Sequence, residues 1–247
     1  MKLALLTDIH ANREAFTACL AHAESQGADQ YAFTGDFVGY GADPAWVIDK
    51  VMAYVDQGAI VVQGNHDLAA THEARSSMHA EAREVIAWTR GQLSPAHVAF
   101  LAELPLTREI NGMLFVHASA NNPGKWHYVT GIDEAETSLF ATDCQLVFSG
   151  HVHAPALYRR AGDGKMGAHA PTPGKRITLQ PQHQYLVIPG SVGQPRDANN
   201  AACYAIYDDV ACELVFFRVP YDFGAAARRV IAAGLPIVFA MRLIEGI

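Results

Sequence analysis

Leu3-Ala4-Leu5-Leu6-Thr7-Asp8-Ile9-His10 decides how this chain is read. An apolar run of strand type breaks off into an Asp and a His one residue apart. On an extended segment such residues point to the same side, so the pair can chelate one ion. The pattern returns four times. Tyr31 to Phe33 leads into Gly35-Asp36, Ala59 to Val62 into Gly64-Asn65-His66-Asp67, Met113 to Val116 into His117, and Leu146 to Phe148 into Gly150-His151-Val152-His153. Polar ligand types at the carboxyl ends of sheet strands are where open α/β folds build their sites.

Between these strands the chain alternates. Asn12 can cap a helix carrying Ala15, Phe16, Cys19 and Leu20 on one face. Asp43-Pro44 caps and opens a helix that turns Trp46, Val47, Val51 and Tyr54 to the sheet. Ser76 to Gly91 and Ser94 to Leu104 read as two more helices, the second with Ser94 as cap and Pro95 at its first position. Leu106 to Ile110 and Met113 to His117 flank Asn111-Gly112, the strongest short hairpin signal, so antiparallel strands open the second half. Then come a helix over Asp133 to Thr142, a strand over Gln145 to Ser149, and shorter strands over Ala154 to Arg159, Arg176 to Leu179 and Tyr185 to Pro189. Cys203 to Tyr207 and Glu213 to Val219 make a last hairpin around Asp208-Asp209. Two C-terminal helices, Asp222 to Ala233 and Pro236 to Ile244, are divided at Gly234-Leu235-Pro236. The Gly- and Pro-rich run from Ala161 to Gly174 is expected to be a mobile loop within a single domain spanning residues 1–247.

At 247 residues, half of them hydrophobic, the chain can bury a sizeable core. Lys2 is followed by only four apolar residues before Thr7-Asp8, too few for a signal peptide. No apolar stretch reaches the roughly 18 residues that cross a bilayer. Cys19, Cys144, Cys203 and Cys212 form no CxxC pair, as expected of reduced thiols in a cytoplasmic protein. A net charge of -7 argues against extended nucleic acid as partner. A small phosphorylated substrate, nucleotides included, stays open, because bound cations reverse the local field. The apolar segment Ile231 to Ile244 allows either an oligomer contact or a core helix.

Asp8, His10, Asp36, Asn65, His117, His151 and His153 combine carboxylate oxygen with imidazole nitrogen, a mixture that suits Mn, Fe, Zn or Ni better than Ca. Seven ligands exceed one four-coordinate ion. They suit two ions sharing a carboxylate, the arrangement used for in-line displacement at phosphorus with metals about 3.5–4 Å apart.

The ordered set D-x-H, G-D, G-N-H-D, H and G-H-V-H, spanning Asp8 to His153 and followed by Pro189-Gly190-Ser191, resembles the calcineurin-like metallophosphoesterase superfamily. The resemblance implies a four-layer αββα sandwich of two mixed β-sheets flanked by helices. It implies two divalent or trivalent transition-metal ions, manganese favoured, one on Asp8, His10, Asp36 and His153, the other on Asp36, Asn65, His117 and His151, with Asp36 as the bridge and a shared hydroxide as nucleophile. His66 would be the catalytic non-ligand histidine that protonates or stabilises the departing oxygen. His22, His72, His79, His97, His127, His169 and His183 match no family motif and are expected outside the site.

Departures from the family refine the expectation. Serine/threonine phosphatases carry G-D-x-V-D-R-G and G-N-H-E, whereas this chain reads Gly35-Asp36-Phe37-Val38-Gly39-Tyr40-Gly41 and ends its third motif in Asp67. Protein phosphatase activity is disfavoured, and the chain looks like the small bacterial and archaeal phosphodiesterase-like branch. Gly39 replaces the Asp that orients the catalytic His, and Tyr40 replaces a phosphate-binding Arg. Arg196, in a Gly-rich turn, is the candidate phosphate clamp. Tyr40 and Asn12 are further substrate-contact candidates, although helix capping explains Asn12 equally well. Arg159-Arg160 and Lys175-Arg176 are either a polyphosphate grip or a solvated hairpin base. The loop holding Trp126, His127 and Tyr128 can stack a nucleobase over the metals, or Trp126 can pack in the core. The expected activity is a dimetal phosphodiesterase. A dinucleoside polyphosphate hydrolase or phosphomonoesterase of the same fold is the alternative, and a non-catalytic protein-interaction scaffold the alternative of another class. A nuclease on single-stranded or damaged DNA is disfavoured by the net charge.

Overall fold

The computed structural model describes residues 1–72 and 79–247. Its first strand, β1 (Lys2–Leu6), explains the layering. Side chains alternate across a strand, and Leu3 and Leu5 enter one core while Ala4 and Leu6 enter another. Ala4 and Leu6 meet Ala15, Phe16 and Cys19 of helix α1 (Arg13–Ser25). Leu3 and Leu5 share their core with Phe115, Phe148 and Val187, which come from a second sheet.

Strand β1 lies parallel to β2 (Gln30–Phe33), which lies parallel to β3 (Ile60–Val61). On its other side β1 pairs antiparallel with β11 (Ala202–Asp208), followed by β12 (Glu213–Val219) and β9 (Arg176–Thr178). The second sheet runs β4 (Thr107–Ile110), β5 (Met113–Val116), β6 (Leu146–Phe148), β10 (Gln184–Ile188), β7 (Ala156–Arg160) and β8 (Met166–His169). Strands β5, β6 and β10 are mutually parallel, and the outer pairings are antiparallel. Both sheets are therefore mixed and six-stranded, and they face each other across the core that Leu3 and Leu5 enter. The outer face of the first sheet carries α1, α2 (Pro44–Val55) and α5 (Pro95–Glu103); that of the second carries α6 (Ile132–Phe140). This is the four-layer sandwich expected from the motifs.

The hairpin at Asn111-Gly112 forms as expected, with positive φ at both residues. Ser94 caps α5 by accepting from the His97 amide. Three details differ. The stretch expected as a loop over 161–174 contains β8, which pairs with β7 across a turn at Gly164, whose left-handed backbone closes the hairpin on the edge that β7 leaves free of β10. Asp43 stands before α2 without capping it; its carboxylate pairs instead with Arg229 of α7 (Phe223–Ala232). A short helix, α3 (Asn65–Thr71), begins inside the third motif and carries no apolar periodicity long enough to announce it. The following helix, α4, covers Ala80–Gln92, and positions 76–78 of the expected Ser76 start lie outside the described residues.

Helix α7 and α8 (Ile237–Glu245) fold over one flank of the first sheet's end, burying Ala226, Val230, Phe239 and Leu243 with Tyr40 packed against them. The opposite face of α8 leaves Ile237, Met241 and Ile244 exposed. Among the described residues, no helix is long and apolar enough to cross a membrane.

Candidate active site

Strands β1, β2, β3, β5 and β6 all end on one side of the sandwich, and each hands its motif residues to the seam between the sheets. The backbone there is bent hard. Asp8, His10, Asp36, Tyr40, His151 and His153 are all in the left-handed region, with φ of 53°, 49°, 55°, 64°, 69° and 65°. Non-glycine residues held in this region persist only where their surroundings over-determine them. Those surroundings are explicit: the Asp8 amide donates to Gly35 O, His10 to Asp36 O and Ala11 to Phe37 O. From the other side Gly193 donates to Asp8 O, as does the Ser191 hydroxyl, so the Pro189-Gly190-Ser191 segment locks the first motif.

Asp67 does the same for the second and third motifs. One carboxylate oxygen accepts from the amides of Phe37 and Val38, the other from those of Asp36 and Gly64. The sequence reading gave it no role, although an acid at the third position of a helix is a capping signal. Gly64 must lack a side chain, because a Cβ there would strike the Asp36 carboxylate and backbone.

The buried carboxylates and imidazoles converge. His153 Nε2 lies 3.3 Å from Asp8 Oδ1 and 3.1 Å from His10 Nε2. His117 Nε2 lies 3.4 Å from Asp36 Oδ2 and 3.1 Å from Asn65 Oδ1. His10 Nε2 is 3.7 Å from Asp36 Oδ2, which puts that carboxylate between the two groups. Asp8, His10 and His153 form one triplet with metal-binding spacing, and Asp36, His117 and His151 another; His10, Asp36 and His66 form a third. None of the seven histidines expected outside the site belongs to them.

The tautomers make the case for cations. Nδ1 of His10 faces Val38 O at 3.1 Å, that of His117 faces Thr34 O at 2.7 Å, and that of His153 faces Gln194 O at 2.6 Å. A carbonyl accepts only from N–H, so in the neutral rings each Nε2 is a bare lone pair aimed inward, the arrangement that metal-ligating histidines use. Two such lone pairs 3.1 Å apart, on His10 and His153, repel unless a positive charge lies with them. His151 Nε2 is likewise buried without a hydrogen-bond partner. The donor set fits two metal ions.

The electrostatics agree. Burial works to raise both Asp8 and Asp36, yet His153 and His117 hold Asp8 below the usual carboxylate range, and His117, His66 and His10 hold Asp36 well below it. Burial opposes a charge on His117, but Asp36 and Asp8 push it up to about 9. Burial pushes His151 down to about 3 and His66 down to about 4. It pushes Asp67 up to about 7, with Asp36 adding and the Gly64 amide opposing.

His66 packs between the rings of His10 and Tyr40, at 5.0 and 4.5 Å. Its Nδ1 is buried without a partner. A Cβ on Gly39 would strike that atom, so glycine is what admits the ring. Tyr40 stacks on Phe239, and Arg196 Nη2 reaches both the Tyr40 hydroxyl and Gln194 Oε1 at 3.4 Å. Tyr40 and Arg196 thus stand beside the clusters. Asn12 does not: its Oδ1 accepts from the Ala15 amide and its Nδ2 donates to Gly193 O and the Tyr221 hydroxyl, so the side chain is consumed in capping and bracing. Across the seam Tyr128 stacks on His151, ring centroids 4.0 Å apart and 19° from parallel, while Trp126 meets the edge of His117 at 5.9 Å.

A family model described as the calcineurin-like phosphoesterase superfamily domain matches residues 1–210. An uncharacterised protein of Methanocaldococcus jannaschii is 32% identical over 249 residues, covering 99% of this chain and 98% of that protein. The crystal structure of a metallophosphoesterase from Sphaerobacter thermophilus is similar with a TM-score of 0.89 and 33% identity over 100% of both chains. That of a hypothetical protein from Pyrococcus horikoshii shares the fold, with a TM-score of 0.81 at 19% identity over 99% of this chain and 98% of that one. With its motifs gathered at one seam of a two-sheet sandwich and these matches along its length, the chain belongs to the calcineurin-like phosphoesterase superfamily.

Proposed function

We propose that this protein is a dimetal-dependent phosphohydrolase that cleaves a small phosphoester, with phosphodiesters preferred. The observation that carries the reading is the convergence of inward-facing histidine Nε2 atoms, whose Nδ1 atoms are taken up by backbone carbonyls, on two buried carboxylates. One ion would be held by Asp8, His10, Asp36 and His153, the other by Asp36, Asn65, His117 and His151. Bound there, the ions would supply Lewis acidity to the phosphoryl oxygens and acidify the attacking water.

The chain's own groups would do the rest. His66 would face the departing oxygen. Burial keeps its ring neutral near pH 7, and the negative charge of an incoming phosphoryl group favours the N–H it needs as donor. Arg196 would clamp a phosphate oxygen, with Tyr40 holding the guanidinium in place. One guanidinium beside the Tyr40 phenol matches the single negative charge of a diester better than the double charge of a monoester, which supports the diesterase reading. Four free cysteines, three of them buried, support a cytoplasmic setting. A non-catalytic scaffold has no need of this convergence.

The test is hydrolysis of bis-p-nitrophenyl phosphate and of p-nitrophenyl phosphate by protein stripped of metal and reloaded with manganese, beside His66→Ala. Metal-dependent release that the variant lacks supports the enzyme, and the preferred ester separates diesterase from monoesterase. No release from either ester or from a dinucleoside polyphosphate, with two metals bound, returns the scaffold reading.

A further inference from the structure

The mouth of the site is asymmetric. On one side His66 packs with His10 and Tyr40, and Tyr40 is backed by Phe239. On the other, His117 and His151 lie together and are covered by Trp126 and Tyr128. The two aromatic residues of that loop differ in kind. Trp126 meets His117 edge-on from a half-buried position, whereas Tyr128 lies flat on His151 and is 50% exposed. One face of the phenol is thus fixed on a buried imidazole and the other is open.

The loop that presents it is built rather than slack. Asn122 and Trp126 both hold left-handed backbone around the turn Pro123–Lys125, and the Ser119 amide donates to His127 O, one residue before Tyr128. An aromatic ring immobilised before any ligand arrives loses little freedom on binding.

We propose that the open face of Tyr128 is an aromatic subsite for the ester group that stays on phosphorus, a flat ring such as a nucleobase. This rests on the phosphodiesterase reading and deepens it: with His66 serving the departing oxygen on one side, the retained group extends toward the His151 side. Tyr128 is here a specificity-determining residue that takes no part in bond cleavage.

Three substrates that share p-nitrophenolate as leaving group isolate the effect: methyl p-nitrophenyl phosphate, bis-p-nitrophenyl phosphate and thymidine 5′-p-nitrophenyl phosphate. Removal of one stacking ring corresponds to roughly 5- to 150-fold in affinity. Tyr128→Ala is expected to raise KM for the aryl and thymidine esters within that range, with kcat changed much less and with KM for the methyl ester moved less than twofold. Preference of the wild type for thymidine over aryl identifies a nucleoside as the natural group; the reverse order identifies a plain aryl ring. Metal content, measured by plasma emission, should match wild type. If Tyr128→Ala disturbs folding or metal content, Tyr128→Leu and Tyr128→Trp both still cover His151, and only Leu should raise the aryl-to-methyl KM ratio. An unchanged ratio in an active enzyme overturns the subsite alone. A wild type that cleaves none of the three with metals bound overturns the phosphodiesterase reading, and the subsite with it.

Discussion

Asp67→Asn tests whether the two central motifs are held by one carboxylate. Both oxygens of Asp67 are occupied on different segments: one by Phe37 and Val38, at 2.8 and 3.4 Å, the other by Asp36 and Gly64, at 2.8 and 2.9 Å. The residue is fully buried, so water does not compete. A carboxamide can serve one pair of amides with its oxygen but must turn its NH2 toward the other, where donor faces donor. Two hydrogen bonds to a charged group are lost, at about 1.5–3 kcal/mol each, giving roughly 3–6 kcal/mol. Against a typical total of about 5–15 kcal/mol this is a large fraction. The assay is urea unfolding of metal-free protein followed by far-ultraviolet circular dichroism. It is done at pH 8, where the carboxyl is ionised; burial and Asp36 oppose that charge and hold Asp67 up at about 7, which sets the expected net fall at the lower end of roughly 3–6 kcal/mol. A fall of less than about 1 kcal/mol at unchanged m would refute the reasoning, since the amides would then have found other partners.

Further outcomes follow from the same geometry. Asp36→Asn should lose at least one metal by elemental analysis and most of the hydrolytic activity, because Asp36 lies between His10 and His117; full activity with normal metal content would exclude it as the bridge. His66→Ala should keep both metals while turnover falls by about 10²–10⁴, the usual contribution of a positioned proton donor; wild-type turnover would remove His66 from the reaction. In metal-free protein, burial first of all holds His10, His66 and His151 below the ordinary histidine value of 6.5. The unfolded chain then takes up protons near pH 6.5 that the fold refuses, so stability should fall as pH drops from about 6.5 toward 4, by up to about 1.4 kcal/mol per unit for each histidine, with Asp67 offsetting one of them. His117 acts above that window, its contribution fading as pH rises from 6.5 through about 9. Urea midpoints that climb on acidification from 6.5 to 5 would contradict the assignment. Gly64→Ala should impair metal binding by driving a Cβ into the Asp36 carboxylate, and titration with manganese would reveal a wild-type site if the loop yields freely.

Much of this was written locally. Strands β1, β5, β6 and β10 are short apolar runs with sharp polar ends, and the Asn111-Gly112 turn, the Ser94 cap and the Asn12 cap each depend on neighbours a few residues away. For the same reason the motif residues could be named in order, since each motif is contiguous in sequence, although the extended backbone expected to aim Asp8 with His10 and His151 with His153 is bent into the left-handed region instead. What escaped were features made by distant partners. Strand β8 pairs on the edge that β7 leaves free of β10, Asp43 leaves its helix for Arg229, and Asp67 binds amides some thirty residues away. Asn12, ambiguous in sequence, is fixed in capping because Gly193 and Tyr221 arrive from the far end of the chain.

The sequence alone determined which side chains can hold metal and that each ends a strand, because ligand chemistry and hydrophobic alternation are local. Only the tertiary structure decided how they meet. Which nitrogen of His10, His117 and His153 turns inward depends on carbonyls of Val38, Thr34 and Gln194, and which aromatic faces the opening depends on Tyr128 lying flat on His151. Those are contacts between segments that share nothing in sequence and become neighbours when two sheets bury their inner faces against each other.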